Sequence, residues 1–264
     1  MSGDSRSQAG PILSLRSLSK GFGGLKVFSD VSFDIEAGTV VGLIGPNGAG
    51  KSTLIGCVSG FLRPDSGSVK FEGSTITGIA PHTLCRAGVT RTFQHAYLLS
   101  HLSVLENVLV GCHVRARCGQ VRALWRSRAV AAEEAALAAS AMEALNSVGC
   151  AHLAHQKAGS LTAGQQRLVS VARALSSMPR VLLLDEPAAG LNESETTRLA
   201  DALRSLRETG LTLLVIEHDI RLINAISDHL VVLADGGVIM EGEPAAVCAE
   251  PTVIKAYLGG LHAQ

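Results

Sequence analysis

Apolar positions along this chain change their period several times, and each change predicts an element. Residues 12–18 predict a strand, and Gly21-Phe22-Gly23-Gly24 a turn. Residues 27–35 alternate apolar with polar, with Val31, Phe33 and Ile35 on one side, the mark of a half-buried strand. Ala37-Gly38 then turns the chain into a short apolar, β-branched run at 40–44, which leads through a glycine-rich turn to a helix over 51–59. Pro64-Asp65-Ser66-Gly67 signals a turn before a short strand at 69–72, and residues 89–93 predict another strand that ends at Gln94. From 103 to 146 alanine dominates, and 129–145 has strong helix propensity with acidic residues near its start. After Leu161 strands and helices alternate: helix 165–177, strand 181–185, helix 194–207, strand 211–216, helix 219–226, then a hairpin over 230–241 turned by Gly236-Gly237. The pattern predicts an α/β fold with a mostly parallel sheet covered on two faces. Antiparallel strands mix into its start, and a helical subdomain interrupts it.

Composition narrows the class. A chain of 264 residues suits one or two domains and can bury a large core. Lys and Arg total 23 and Asp and Glu also 23, a balance with no chain-wide attraction to nucleic acid. No apolar run approaches the roughly 20 residues that span a bilayer, and Asp4 and Arg6 precede no apolar stretch of the secretory kind. These features predict a cytosolic chain that meets a membrane only through a partner. The six cysteines (57, 85, 112, 118, 150 and 248) form no C-x-x-C pair and predict free thiols. Cys150, His152 and His155 lie close in sequence but lack a second ligand pair at zinc-like spacing, so no metal site is expected there. Residues 1–10 are small and polar and predict a disordered tail. Within 113–128 a basic segment carries five arginines over 115–128 and Trp125, and predicts a solvated helical insertion rather than an interaction surface.

Three stretches carry chemistry. Gly45-Pro46-Asn47-Gly48-Ala49-Gly50-Lys51-Ser52-Thr53 matches G-x-x-x-x-G-K-[ST] between a strand and a helix. Gly45, Gly48 and Gly50 allow positive φ and close backbone approach to a phosphate. The successive N–H groups form an anion nest at the positive end of the following helix. Lys51 can reach the β- and γ-phosphates, and the Ser52 hydroxyl can ligate Mg²⁺. Second, the apolar strand 181–185 ends in Asp185-Glu186, two acids at the carboxyl end of a buried parallel strand, where α/β ligand sites lie. Beside a phosphate loop, Asp185 would serve the Mg²⁺ shell and Glu186 would polarise an attacking water. Third, Leu161-Thr162-Ala163-Gly164-Gln165-Gln166-Arg167 opens a helix that Thr162 can cap, whose exposed N–H groups offer another phosphate-binding end, though taken alone it is a capped helix and nothing more.

Taken together, these stretches resemble the ATP-binding subunits of ABC transporters over essentially the whole chain. GPNGAGKST looks like Walker A, LLLLDE like Walker B and LTAGQQR like the LSGGQ signature, with Gln94 at the Q-loop, 189–192 at the D-loop and His218 at the switch histidine. Phe22 sits where an aromatic stacks on adenine. The stretches FGGLKVFSDVSF, DEPAAGLN, IEHDIRLI and EPTVIKAYLG look like the ATPases of branched-chain amino acid importers, and the insertion is similar to that of the larger, LivG-like type. Close relatives serve urea, amide and lipopolysaccharide transport, and non-transport ABC ATPases are the rival class. Those usually carry fused cassettes, long coiled coils or basic tails, none of which is seen here.

The resemblance implies a P-loop NTPase (RecA-like) core with an N-terminal antiparallel β subdomain and an inserted α-helical subdomain. One ABC domain would span 11–264, with the core and β subdomain in 11–93 and 160–264 and the Q-loop and helical subdomain in 94–159. It also implies a half-site in each subunit. ATP would lie on 45–53 and Phe22 of one subunit, under Thr162, Ala163, Gly164 and Gln165 of a second ATPase subunit, identical or paralogous. Ser52, Gln94 and Asp185 would serve Mg²⁺, while Glu186 would act as general base and His218 would contact the γ-phosphate. The implied partners are two transmembrane permease subunits, met near Tyr97, Leu98 and Leu99 at the cytoplasmic face of the membrane, and a periplasmic or extracytoplasmic substrate-binding protein. Nucleic acid is not among them. Two departures stand out. Thr162-Ala163 replaces Ser-Gly, which keeps the hydroxyl but adds a Cβ where a phosphate comes close, and Glu193 stands where proline is common after the D-loop.

Overall fold

The computed structural model describes residues 10–92, 97–114 and 128–259. Its strands are β1 (Leu13–Phe22), β2 (Leu25–Ile35), β3 (Val40–Ile44), β4 (Ser66–Phe71), β5 (Ser74–Thr75), β6 (Val89–Arg91), β7 (Val181–Asp185), β8 (Thr212–Ile216), β9 (His229–Ala234) and β10 (Gly237–Gly242). They form two sheets, a four-stranded one in the order β2-β1-β4-β5 and a six-stranded one in the order β10-β9-β3-β8-β7-β6. The first is antiparallel throughout; in the second, β6, β7, β8, β3 and β9 run parallel and β10 returns antiparallel at the edge.

The central strands β3, β7 and β8 are buried at every position, as an apolar run without alternation requires when both faces are covered. Period two persists inside those runs and sorts the side chains between two cores. Val40, Ile44, Leu182, Leu184, Leu213, Val215, Leu230 and Val232 join one core, while Val41, Leu43, Val181, Leu183, Leu214, Ile216, Val231 and Leu233 join the other. The second core is closed by the antiparallel sheet, through Leu13, Leu15, Phe28, Val31 and Phe33, and by α1 (Lys51–Val58). The first is closed by helices on the opposite face. Gly42 lets the layers close up, since a Cβ there would come within 2.5 Å of Leu230 Cδ2 and 2.6 Å of Ile223 Cγ1.

Further helices are α2 (Pro81–Ala87), α3 (Val104–Cys112), α4 (Arg128–Ser147), α5 (Ala163–Leu175), α6 (Glu193–Glu208), α7 (Ile220–Ile226), α8 (Pro244–Ala249) and α9 (Pro251–Gly259). The sequence pattern did not predict α2, β5, α8 or α9, all short apart from α9. The strand expected at 69–72 runs instead over Ser66–Phe71, because Gly67 at φ +84° packs against the Arg16 and Ser17 carbonyls and so takes part in the sheet rather than in a turn. Of the tail expected over 1–10 and the basic segment over 115–128, residues 1–9 and 115–127 lie outside the described residues, as does the glutamine at 94. Cys150 is buried, and its thiol is pushed up to about 11 by loss of water, whereas His152 and His155 are exposed.

α3 is locked by two devices. Gly111 lies so close to α5 that a Cβ would run into the Arg173 carbonyl and the Ser176 hydroxyl. Asn107, buried, accepts the Leu99 N–H at 2.7 Å and donates to the Leu99 carbonyl at 3.1 Å and the Ser103 carbonyl at 2.9 Å. One amide thus pins the segment that follows Gln94 to the helical layer. Asn107→Ala leaves the Leu99 N–H without its acceptor, a loss on the order of 1–3 kcal/mol for a group kept from water, while the Leu99 and Ser103 carbonyls keep the Leu102 and Asn107 N–H groups. The variant is expected to lose about 1–2 kcal/mol of unfolding free energy in urea denaturation while keeping its helical circular-dichroism signal; an unchanged midpoint and slope would exclude the anchoring role.

Candidate functional site

The carboxyl edge of β3, β7 and β8 gathers most of the residues that the motifs single out. At the end of β3 the loop turns on glycines. Gly45 (φ +150°) backs onto the Leu233 carbonyl, where a Cβ could not fit, Gly48 stands at φ +81°, and Gly50 at φ +94° caps α1 against Val27 and Phe28. Pro46 is half-buried, Asn47 exposed, Ala49 buried and Thr53 half-buried. Lys51 opens α1 at only 7% exposure and folds its side chain back into the loop, where Nζ donates to the Gly45 carbonyl at 2.7 Å and the Pro46 carbonyl at 2.9 Å. Burial pushes its ammonium below the usual lysine range, and the charges of Glu186 and Asp185 oppose that shift. The loop therefore closes on a cation that its own carbonyls hold and that the charges of both carboxylates favour.

Asp185 ends β7, buried. Its Oδ1 accepts the Ser52 hydroxyl at 3.3 Å and its Oδ2 takes Arg91 Nη2 at 2.7 Å, in an ion pair whose two side chains are 12% and 6% exposed. Glu186 follows at φ +48°, a left-handed conformation rare for a residue with a side chain. Its N–H donates to the Ile216 carbonyl at 3.0 Å, which ties the turn to β8. Strain of that kind concentrates where a side chain has to be aimed.

At the end of β8, Glu217 is 1% exposed. Its carboxylate accepts the Ala188 N–H at 2.7 Å and the His218 N–H at 3.2 Å. Burial pushes its carboxyl above the usual range, against the pull of those N–H groups and of His218. Glu217 thus fastens the turn after Glu186 to the backbone of His218. The His218 ring itself stays open, with its side chain 59% exposed and Nδ1 3.9 Å from the Glu217 carboxylate. The Arg167 guanidinium, lowered by burial, is held up by the charges of Glu217 and Glu186. Sequence reasoning missed Arg91 and Glu217. The edge rule that drew notice to Asp185 applies equally to Glu217, which closes the next apolar strand.

Phe22, half exposed at the end of β1, carries the Lys20 ammonium 5.2 Å from its ring centroid. Thr162 caps α5 in a capping box: its hydroxyl accepts the Gln165 N–H at 3.3 Å, and Gln165 Oε1 accepts the Thr162 N–H at 3.0 Å. The same hydroxyl donates to Glu195 Oε1 of α6 at 3.1 Å. Ala163 is exposed and Gly164 buried. The fold brings Lys51, Ser52, Asp185, Glu186 and His218 to one edge, whereas Thr162, Gly164 and Gln165 make their described contacts with one another and with α6. Gln94 lies outside the described residues.

The ABC transporter family model matches residues 28–189, and that of the branched-chain amino acid ATP-binding cassette transporters matches residues 238–263. The chain is 40% identical over 250 residues to the high-affinity branched-chain amino acid transport ATP-binding protein BraF of Pseudomonas aeruginosa, covering 94% of this chain and 98% of that one. The protein of the same description named LivG, from Escherichia coli K12, is 36% identical over the same shares. Among solved structures, the ADP conformation of MJ1267, an ATP-binding cassette of an ABC transporter, superposes with a TM-score of 0.82 at 34% identity, over 94% of this chain and 98% of that one. The dimeric structure of MJ0796, a bacterial ABC transporter cassette, gives a TM-score of 0.74 at 26% identity, over 88% and 98%. With a family model across residues 28–189, more than half of the chain, and relatives matched along nearly their whole length, the chain belongs to the ATP-binding cassettes of ABC transporters.

Proposed function

We propose that this chain is the ATP-hydrolysing subunit that energises an importer of branched-chain amino acids. It works as one of two cassettes beneath two transmembrane permease subunits at the cytoplasmic face of the membrane, and an extracytoplasmic binding protein delivers the substrate. No described helix is long and apolar enough to cross a membrane. The observation that carries the reading is the joint arrangement at the carboxyl edge: a buried Lys51 inside the glycine loop, Ser52 on Asp185, and Glu186 on a strained turn that Glu217 ties to the backbone of His218. The import of branched-chain amino acids is supported by the match at 238–263 and by the similarity to BraF and LivG. Pairing of two cassettes is supported by the dimeric relative.

Mg²⁺ asks for hard oxygen donors and keeps much of its water, so one or two protein ligands beside the phosphates suffice. The Ser52 hydroxyl and the Asp185 carboxylate, already in contact, fit it. Ser52 and Gln94 would hold the ion, with Asp185 acting through its water; when bound it supplies charge neutralisation on the phosphates. The chain's own groups do the rest. Lys51 exchanges its two carbonyls for phosphate oxygens. Glu186 accepts a proton from the attacking water as the new O–P bond forms and the bond to the β-phosphate oxygen breaks, releasing ADP and phosphate. His218 meets the γ-phosphate from the β8 edge, and Thr162 and Gly164 of the second cassette cover it. Positioning and charge, rather than covalent chemistry, carry the rate.

Two outcomes are expected. Glu186→Gln retains ATP binding, read by equilibrium dialysis, while steady-state turnover falls by about 10²–10⁴-fold, the usual weight of a general base; turnover at the parent rate would remove Glu186 from that role. Purification from membranes by a tag on this chain is expected to recover two multi-span permeases and a second cassette, with ATPase activity stimulated by leucine-loaded binding protein. Recovery of ribosomes or DNA-processing proteins without permeases would leave the ATPase and overturn the importer.

A further inference from the structure

Thr162 and Gly164, the groups that would close over the second cassette's nucleotide, already hold an anion of this chain. The Glu195 carboxylate, from the first turn of α6, takes the Thr162 hydroxyl on Oε1 at 3.1 Å and the Asn192 N–H on Oε2 at 3.2 Å. Its contact with Gly164 is close enough that a Cβ there would lie 2.5 Å from Glu195 Cδ and 2.6 Å from Oε1. The Asn192 N–H holds the carboxyl below the usual glutamate range, with further help from the Thr162 hydroxyl, the Gly164 N–H and the Arg198 charge. A carboxylate thus lies at the N-terminus of a 13-residue helix, on the hydroxyl and N–H that a phosphate would use.

Resting on the functional reading above, we propose that Glu195 is an internal stand-in for the γ-phosphate: it occupies the signature half-site while the cassettes are apart and has to be displaced when the second cassette's ATP arrives. A hydroxyl has one proton to donate, so Thr162 serves the carboxylate or the phosphate but not both. Two anions at one helix end also repel, which biases the cassettes toward the open state until ATP is bound. Glu195 and Asn192 cap the same helix reciprocally, since the Glu195 N–H donates to Asn192 Oδ1 at 2.9 Å. Displacing the carboxylate therefore also loosens the Asn192 end of the loop after Glu186, so nucleotide capture at one half-site is felt at the turn that carries the base of the other.

The test uses the whole transporter purified with its permeases. Glu195→Gln keeps the side chain's size and its cap but removes the charge; Glu195→Asp keeps the charge but withdraws it from Thr162. Both are expected to lower the ATP concentration for half-maximal ATPase and to raise turnover without binding protein, by about tenfold for Gln, a typical coupling between sites. Stimulation by the binding protein shrinks accordingly. A carboxylate that merely orients Thr162 predicts the reverse, a fall in turnover in both variants. If the parent transporter hydrolyses ATP and both variants show parent or higher half-saturation, the stand-in is overturned and the functional reading stands. If the parent transporter hydrolyses no ATP, both fall.

Discussion

Lys51 sets the terms for the rest of the molecule. An ammonium at 7% exposure loses most of its water and has to be met by oxygens. The loop supplies them from its own backbone, through the Gly45 and Pro46 carbonyls. That ring closes only because Gly45, Gly48 and Gly50 accept φ values of 150°, 81° and 94°, and because Gly45 lies flat on the Leu233 carbonyl of β9. The cation therefore depends on the register of β3 against β9, where Ile44 faces Val232. A shift of that pairing would move the loop off its support and expose the wrong side chains to each core.

Among the described residues, the buried carboxylates of Asp185 and Glu217 are each met by a group from another element. Asp185 has Arg91 from β6, and Glu217 has the Ala188 and His218 N–H groups. A buried pair of this kind adds little net stability, and breaking it is costly because the orphaned charge stays in low dielectric. Its value here is geometric. Arg91 leaves Asp185 Oδ1 turned toward Ser52, and Glu217 ties the turn after Glu186 to His218, so two strands present their acids and their histidine as one unit.

What the sequence made legible follows from how local each cause is. The glycine loop was readable because positive φ is a property of single residues, and the doubly covered strands because unbroken apolar runs have one common explanation. Thr162 as a cap was readable for the same reason, its partner Gln165 being three residues away. Arg91, Glu195 and Glu217 were not. Their partners Asp185, Thr162 and Ala188 lie 94, 33 and 29 residues off, and only the folded topology makes neighbours of them. The strand start at Ser66 was missed for a related reason, since Gly67 is fixed by carbonyls of β1 rather than by its own neighbours. Short helices such as α2, opened by Pro81, carry too few turns for a period to register.

The departure at Ala163 takes on a different weight in this geometry. An added Cβ harms an anion site only where the anion approaches that residue's own backbone. Ala163 is exposed at the first position of α5, and the anion held by this helix end approaches Gly164 instead, at a distance that would exclude any side chain there. The position that the anion approaches is a glycine, and the hydroxyl that pairs with it is present as Thr162. The helix end therefore retains its capacity for an anion, and the element that limits access to it is the carboxylate already in place. Under the proposal made for Glu195, activity at this half-site would turn on how readily Glu195 leaves, rather than on how well the signature binds.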